Sequence, residues 1–211
     1  WHRERVGLIG ANGAGKSVLF RCILKTETPD DGILEIGPST TMAYYAQEHQ
    51  TLNWEATLAE EIRSARPMID RELYGLLGRF LFTPEDAKKK ISQLSGGEKA
   101  RVQIVKLMMS GANFLLLDEP TNNLDIPSSE ILENALDASH YDGTVLVISH
   151  DRYFLDNVAS RIVELDAGAT TEYLGNYTYY VEEKARRARG EPAYVIEDED
   201  EDKEEEYTTK T

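Results

Sequence analysis

The chain alternates short, wholly apolar runs with longer stretches of helical spacing. Residues 6–9, 114–117 and 145–148 are runs of the first kind, within strands expected over 5–9, up to the carboxylates Asp118-Glu119, and over 144–149. Such runs suit strands buried on both faces of a parallel sheet. Each is followed by a helical pattern: residues 18–24, then a helix opened by Pro127 and Ser128 with Ile131, Leu132, Ala135 and Leu136 on one face, then a helix capped by Asp151. Strand–helix crossovers of this kind predict an α/β fold with a mostly parallel sheet and flanking helices.

The remaining stretches add smaller parts. Pro29-Asp30-Asp31-Gly32 is a turn, and residues 33–36 and 40–46 read as strands, with Gln47 at the end of the second. A helical subdomain is expected over about residues 54–95. Thr57 and Glu60 have capping-box spacing and open a helix that Pro67 ends. Residues 69–80 continue with Leu73, Leu76, Leu77 and Phe80 as a core stripe, and Thr83-Pro84-Glu85 opens a third helix. Residues 161–166 and 170–174 read as an antiparallel hairpin around Ala167-Gly168. A polar helix over residues 177–189 follows, ending in Lys184, Arg186, Arg187 and Arg189. That basic end suits the helix dipole or, equally, contact with RNA phosphates.

Charge changes the picture at one end. Of 38 acidic and 23 basic residues in the 211, ten and two fall in residues 191–211, so this stretch carries −8 of the net −15. It has too little apolar surface to fold, so residues 190–211 are expected to be a disordered acidic tail behind a domain over residues 1–189. The mildly acidic remainder argues against a broad nucleic-acid groove. No stretch approaches the ~20 apolar residues that span a bilayer, no secretory pattern is visible, and Cys22 has no cysteine to pair with. A cytoplasmic protein without membrane insertion is the expectation.

The chemistry-bearing residues sit where the elements meet. Gly10-Ala11-Asn12-Gly13-Ala14-Gly15-Lys16-Ser17 joins the first strand to its helix with phosphate-loop spacing. Glycines let backbone N–H groups turn inward, the helix start adds partial positive charge, Lys16 reaches phosphates, and Ser17 offers a hydroxyl to Mg²⁺. Leu94-Ser95-Gly96-Gly97-Glu98 opens a helix that runs to about Met109, with Gly111 near its end. Two glycines are poor helix formers, costing roughly 1 kcal/mol each. They make sense at a helix start that a phosphate must approach. Lys16, Asp118-Glu119 and His150 each follow an apolar strand, and a parallel sheet would bring all of them to one edge.

Together these motifs resemble the nucleotide-binding domain of the ATP-binding cassette (ABC) superfamily, a P-loop NTPase fold. Residues 10–17 match its Walker A loop, Gln47 its Q-loop and residues 94–98 its LSGGE signature. Residues 115–119 match its Walker B strand, residues 123–125 (Asn-Leu-Asp) its D-loop, and His150 its switch histidine. Within that superfamily the chain is similar to the ABC-F family, on Glu119-Pro-Thr-Asn-Asn-Leu-Asp125, Ser149-His-Asp-Arg-Tyr-Phe-Leu-Asp156 and Gly175-Asn-Tyr-Thr-Tyr-Tyr-Val-Glu-Glu-Lys184. The phrase Tyr44-Tyr-Ala-Gln-Glu48, with no long helical hairpin pattern after Lys184, resembles its second cassette in particular.

The resemblance implies ATP and Mg²⁺ as ligands, held by residues 10–17 with Val18. Ser17, Gln47 and Asp118 would surround the metal, Glu119 would be the general base, and His150 and Lys16 would contact the γ-phosphate. Ser95, Gly96, Gly97 and Glu98 would cover a nucleotide held by a second cassette. For an ABC-F protein a ribosome is the expected partner; the alternative is the motor subunit of an ABC transporter. Val18 stands where the family often has Thr, and Asn123 where it often has His. The adenine-stacking aromatic is expected upstream of Trp1.

Overall fold

Three strands with apolar centres lie side by side in the middle of a six-stranded sheet in a computed structural model that describes residues 3–45, 52–122 and 124–191. Gln47, Asn123 and residues 192–211 of the acidic tail lie outside the described residues. In chain order the strands are β1 (Arg5–Ile9), β2 (Met42–Tyr45), β3 (Phe114–Asp118), β4 (Thr144–Ile148), β5 (Arg161–Asp166) and β6 (Ala169–Tyr173). In space the order is β2-β3-β4-β1-β5-β6, parallel throughout except for the β5–β6 hairpin. This is the α/β architecture anticipated from the sequence, with the antiparallel part confined to one edge.

The central strands are buried on both faces because helices cover both. Leu115 and Leu117 of β3 join Val145 and Val147 of β4 in one cluster, which takes in Val102, Val105 and Leu132 from α4 (Gly96–Met109) and α5 (Ile126–Leu136). Leu116 and Ile148 face the other way, onto Phe20 and Ile23 of α1 (Lys16–Ile23). Alternation is the strand's own two-residue period, so an unbroken Leu-Leu-Leu run needs cover above and below. Cys22, on α1, is a buried core thiol. Beside α5, α6 (Arg152–Val158) and α7 (Tyr177–Ala188) pack together, and Tyr180 of α7 lies with Ile162 and Tyr173 in a third cluster.

Local caps set the helix starts. Thr57 Oγ1 accepts from Glu60 N–H at 3.2 Å, and the Glu60 carboxylate accepts in return from Thr57 N–H at 2.8 Å, opening α2 (Leu58–Ala65). Asp125, Asp151 and Asn176 cap α5, α6 and α7 through their side chains. The stripe of α3 (Asp70–Arg79) is buried at Leu73 and Leu77, with Phe80 just beyond.

Two expected elements are absent. The helix opened by Thr83 is a single 3₁₀ turn, Asp86–Lys88. Thr83 and Asp86 do cap one another, but Lys89 and Lys90 are already extended. There Leu58 N–H donates to Lys89 C=O at 2.9 Å, and Ile91 N–H to Ala56 C=O at 2.9 Å. Pairing with Leu58 at the start of α2 and with Ala56 ahead of it takes the backbone groups that a longer helix would need. Residues 33–36 form no strand either: among the described residues no neighbour pairs with them, and Ile33 stays 90% exposed.

Candidate functional site

The parallel register levels the strand ends. Asp118 lies opposite Ile148, and Ile148 opposite Leu8, so the residues that follow all three strands open on one edge. Residues 10–15 lie there between β1 and α1. The first helical residue is Lys16, two earlier than the apolar pattern suggested, and Gly15 at the N-cap has φ 103°. No side chain caps this helix, whereas every other start described above has its own Thr, Ser, Asp or Asn cap or an acidic first turn. A helix start with its N–H groups left to a ligand suits a phosphate group. Gly10 is required for a different reason: a Cβ there would meet Leu165 C=O at 2.3 Å, where the end of β5 presses on the loop.

The charged groups surround this loop. Lys16 is nearly buried, and its ammonium donates to the C=O of Gly10 (2.7 Å) and of Ala11 (3.1 Å). Burial pushes the Asp118 carboxyl above the usual range, opposed by a hydrogen bond from Tyr44 and by the Lys16 charge. Glu119 follows with φ 49°, in the left-handed region, so its side chain turns from β3 toward β4. There His150 N–H donates to Glu119 Oε2 at 3.2 Å, and His150 Nε2 lies 3.4 Å from Oε1. Beside His150 a cleft of about 240 Å³ runs past Lys16, Ser149 and Glu164 to Tyr177 and Tyr180.

The second glycine-bearing helix start is built differently. Ser95 Oγ accepts from Glu98 N–H at 3.2 Å, and Glu98 Oε2 accepts from Ser95 N–H at 2.7 Å, the capping box anticipated from the spacing. Gly96 has open space where a Cβ would stand, and the equivalent point at Gly97 is 3.5 Å from Asp125 Oδ2. Among the described residues no hydrogen bond or ion pair joins Ser95–Glu98 to residues 10–18. Asn12, Gly13, Ala14, Ser17 and Val18 lie on the loop and the first turn of α1, with Val18 exposed. The residues present fit a phosphate chain with a hard divalent cation. The loop offers N–H groups and an ammonium, while hydroxyl and carboxylate oxygens are donors that Mg²⁺ accepts alongside water. Among the described residues no cluster of three or more His, Cys, Asp or Glu would hold a metal alone.

A family model described as ABC transporter matches residues 1–122, more than half of the chain. The chain belongs to the ABC transporter family. ATP-binding cassettes of this family bind ATP, typically with Mg²⁺, generally hydrolyse it, and pair with a second cassette to complete their sites. The cassette is 44% identical over 185 residues to YdiF of Bacillus subtilis, covering 87% of this chain and 28% of that protein. It is 40% identical to ABC transporter F family member 5 of Arabidopsis thaliana (85% and 26% covered). It is 41% identical to the energy-dependent translational throttle protein EttA of Escherichia coli K12 (86% and 33% covered). The chain thus spans a third or less of these curated relatives. Among solved structures, the ATP-binding subunit of an ABC transporter superposes with a TM-score of 0.69 at 25% identity, over 90% of this chain and 83% of that one. RNase-L inhibitor shares the fold, with a TM-score of 0.67 at 24% identity over 90% of this chain and 38% of that one.

Two features of the cassette escaped the motif reading. Tyr44, on β2, reaches the Asp118 carboxylate across the sheet. Glu164, on β5, accepts from Lys184 Nζ (2.5 Å) and Tyr180 hydroxyl (2.8 Å), pinning α7 to the strand that touches the phosphate loop. The basic end of α7 is also less bare than its sequence suggests. Arg186 and Arg187 both pair with Glu183, and Arg189 pairs with Glu191. Arg187 additionally lies over the Tyr173 ring. In all described helices no segment is long and apolar enough to cross a membrane.

Proposed function

We propose that this chain is the ATP-binding and ATP-hydrolysing cassette of an ABC-F type protein, one in which closure on a second cassette drives action at the ribosome. The observation that carries the enzymatic half is the gathering of Lys16, Asp118, Glu119 and His150 at the ends of adjacent parallel strands, beside a helix start without a side-chain cap. The translational half is supported by similarity to EttA, whose name describes an energy-dependent translational throttle.

In this reading residues 10–18 wrap the phosphates with backbone N–H groups, and Lys16 exchanges its loop carbonyls for phosphate oxygens. Ser17, Gln47 and Asp118 hold Mg²⁺, which when bound neutralises phosphate charge. Glu119 accepts a proton from the attacking water as general base. His150, from the next strand, steadies Glu119 and contributes a second polar group toward the γ-phosphate. Ser95, Gly96, Gly97 and Glu98 serve a nucleotide held by the partner cassette, so that each site is complete only on closure. Phosphoryl transfer asks chiefly for positioning and charge neutralisation, and these groups supply both.

The test uses the complete protein carrying Glu119→Gln, sedimented with ribosomes in ATP and in ADP. ATP-dependent association is the expected result. Absence of association, with co-purification of membrane subunits instead, would replace this reading with the motor subunit of a transporter.

A further inference from the structure

The sheet places Tyr44 beside Asp118 although 74 residues separate them in the chain. In the β2–β3 register Tyr44 lies opposite Leu116, and Asp118, two residues on, shares that face of the sheet. The Tyr44 hydroxyl donates to Asp118 Oδ2 at 3.4 Å. Its ring meets the Phe20 ring edge-on, with centroids 6.4 Å apart and planes at 77°. Phe20 is 1% exposed and belongs to α1, the helix that begins with Lys16 and Ser17. Tyr44 therefore touches both sides of the metal-and-phosphate region: it packs on the helix carrying Ser17 and bonds to the carboxylate of β3.

We propose that Tyr44 is a positioning residue for Asp118 toward the divalent cation, an inference that rests on the nucleotide reading above. Among the described residues Tyr44 is the donor that reaches this carboxylate. Its bond takes one acceptor site on Oδ2 and biases the carboxylate rotamer, leaving Oδ1 for the cation or its water shell. A half-buried carboxylate without that bond would be free to turn toward Lys16, whose charge is its other partner. Hydrogen-bond partners of metal-binding carboxylates commonly matter about 10- to 100-fold in metal affinity. The length of this bond places Tyr44 at the lower end.

The experiment compares the complete protein with its Tyr44→Phe form, which keeps the ring contact with Phe20, both carrying Glu119→Gln so that ATP persists. Mn²⁺ binding to the ATP-loaded protein is followed by electron paramagnetic resonance, and ATP affinity is measured separately in EDTA. The expected result is about a tenfold loss of Mn²⁺ affinity with metal-free ATP affinity and melting temperature unchanged. In an Asp118→Asn background the Tyr44→Phe change should add nothing, because the two act as one unit. Unaltered Mn²⁺ affinity would overturn the inference. So would equal losses of metal-free affinity and melting temperature, the mark of a packing role alone. A parent protein that binds no ATP with or without metal would overturn the nucleotide reading and this inference with it, which separates the two failures.

Discussion

Both carboxylate oxygens of Glu119 are met by one residue, His150: the backbone N–H at Oε2 (3.2 Å) and ring Nε2 at Oε1 (3.4 Å). Glu119 N–H in turn donates to Ile148 C=O at 2.9 Å, so the end of β3 is tied to the end of β4 at three points. This holds Glu119 at φ 49°, a conformation that costs a non-glycine residue about 1–2 kcal/mol. Strain kept in place by surrounding bonds is a reason to look for function at the residue.

Glu119→Gln keeps an acceptor for the His150 N–H while removing the base. Phosphate release should fall by about 10²- to 10⁴-fold. ATP affinity should stay as it was. Unchanged turnover in a steady-state phosphate assay would remove Glu119 from the chemistry.

Ser95→Arg tests whether the α4 start serves a partner. The residue is exposed and shares no hydrogen bond with residues 10–18 among the described residues. Hydrolysis by the complete protein should be abolished, while equilibrium dialysis of the isolated cassette should show unaltered ATP affinity. Parallel loss of affinity in the isolated cassette would contradict a shared site.

Gly10→Ala and Gly13→Ala separate crowding from conformational strain. Both glycines have positive φ, but a Cβ on Gly13 meets nothing within 4 Å, whereas on Gly10 it meets Leu165 C=O at 2.3 Å. A loss of 1 kcal/mol lowers the melting temperature of a domain this size by about 2–4 °C, so Gly13→Ala should melt a few degrees low. Gly10→Ala should lose about 3 kcal/mol or more and melt well below it. Equal melting temperatures would mean that β5 yields to the loop without cost.

The bond between α7 and β5 gives a pH dependence. Burial works to raise the Glu164 carboxyl, but hydrogen bonds from Lys184 and Tyr180, with the Lys184 charge, together outweigh it and hold the group below the usual range. Pairing with Glu164 correspondingly raises Lys184. A carboxyl depressed in the folded state stabilises the protein above its unfolded pKa, and that contribution fades as pH falls through its folded value. Glu164→Gln should therefore lower the melting temperature at pH 7, with the gap closing toward pH 3. A gap that persists in acid would assign the effect to packing.

How much was legible follows from the range of each interaction. Ser95 with Glu98 and Thr57 with Glu60 close capping boxes over three residues, so their spacing alone announced helix starts. The run of Leu115, Leu116 and Leu117 demanded two covered faces, hence a parallel sheet with helices on both sides. The order of Lys16, Ser95, Asp118, Glu119 and His150 along the chain was enough to point to the cassette.

Tertiary structure decided the rest. Thr83 and Asp86 cap one another as their spacing promises, yet the helix stops because Lys89 pairs with Leu58 at the start of α2 and Ile91 with Ala56 just ahead of it. Residues 33–36 carry a strand-like sequence, but a strand exists only beside a partner. Which residue faces Asp118 depended on the β2–β3 register, and which group meets Glu119 depended on β4 lying next to β3. A local motif is stabilised within one turn of the chain and is therefore written in consecutive residues. Register and strand order are fixed only when both faces of the sheet pack at once, a condition shared among segments far apart in sequence.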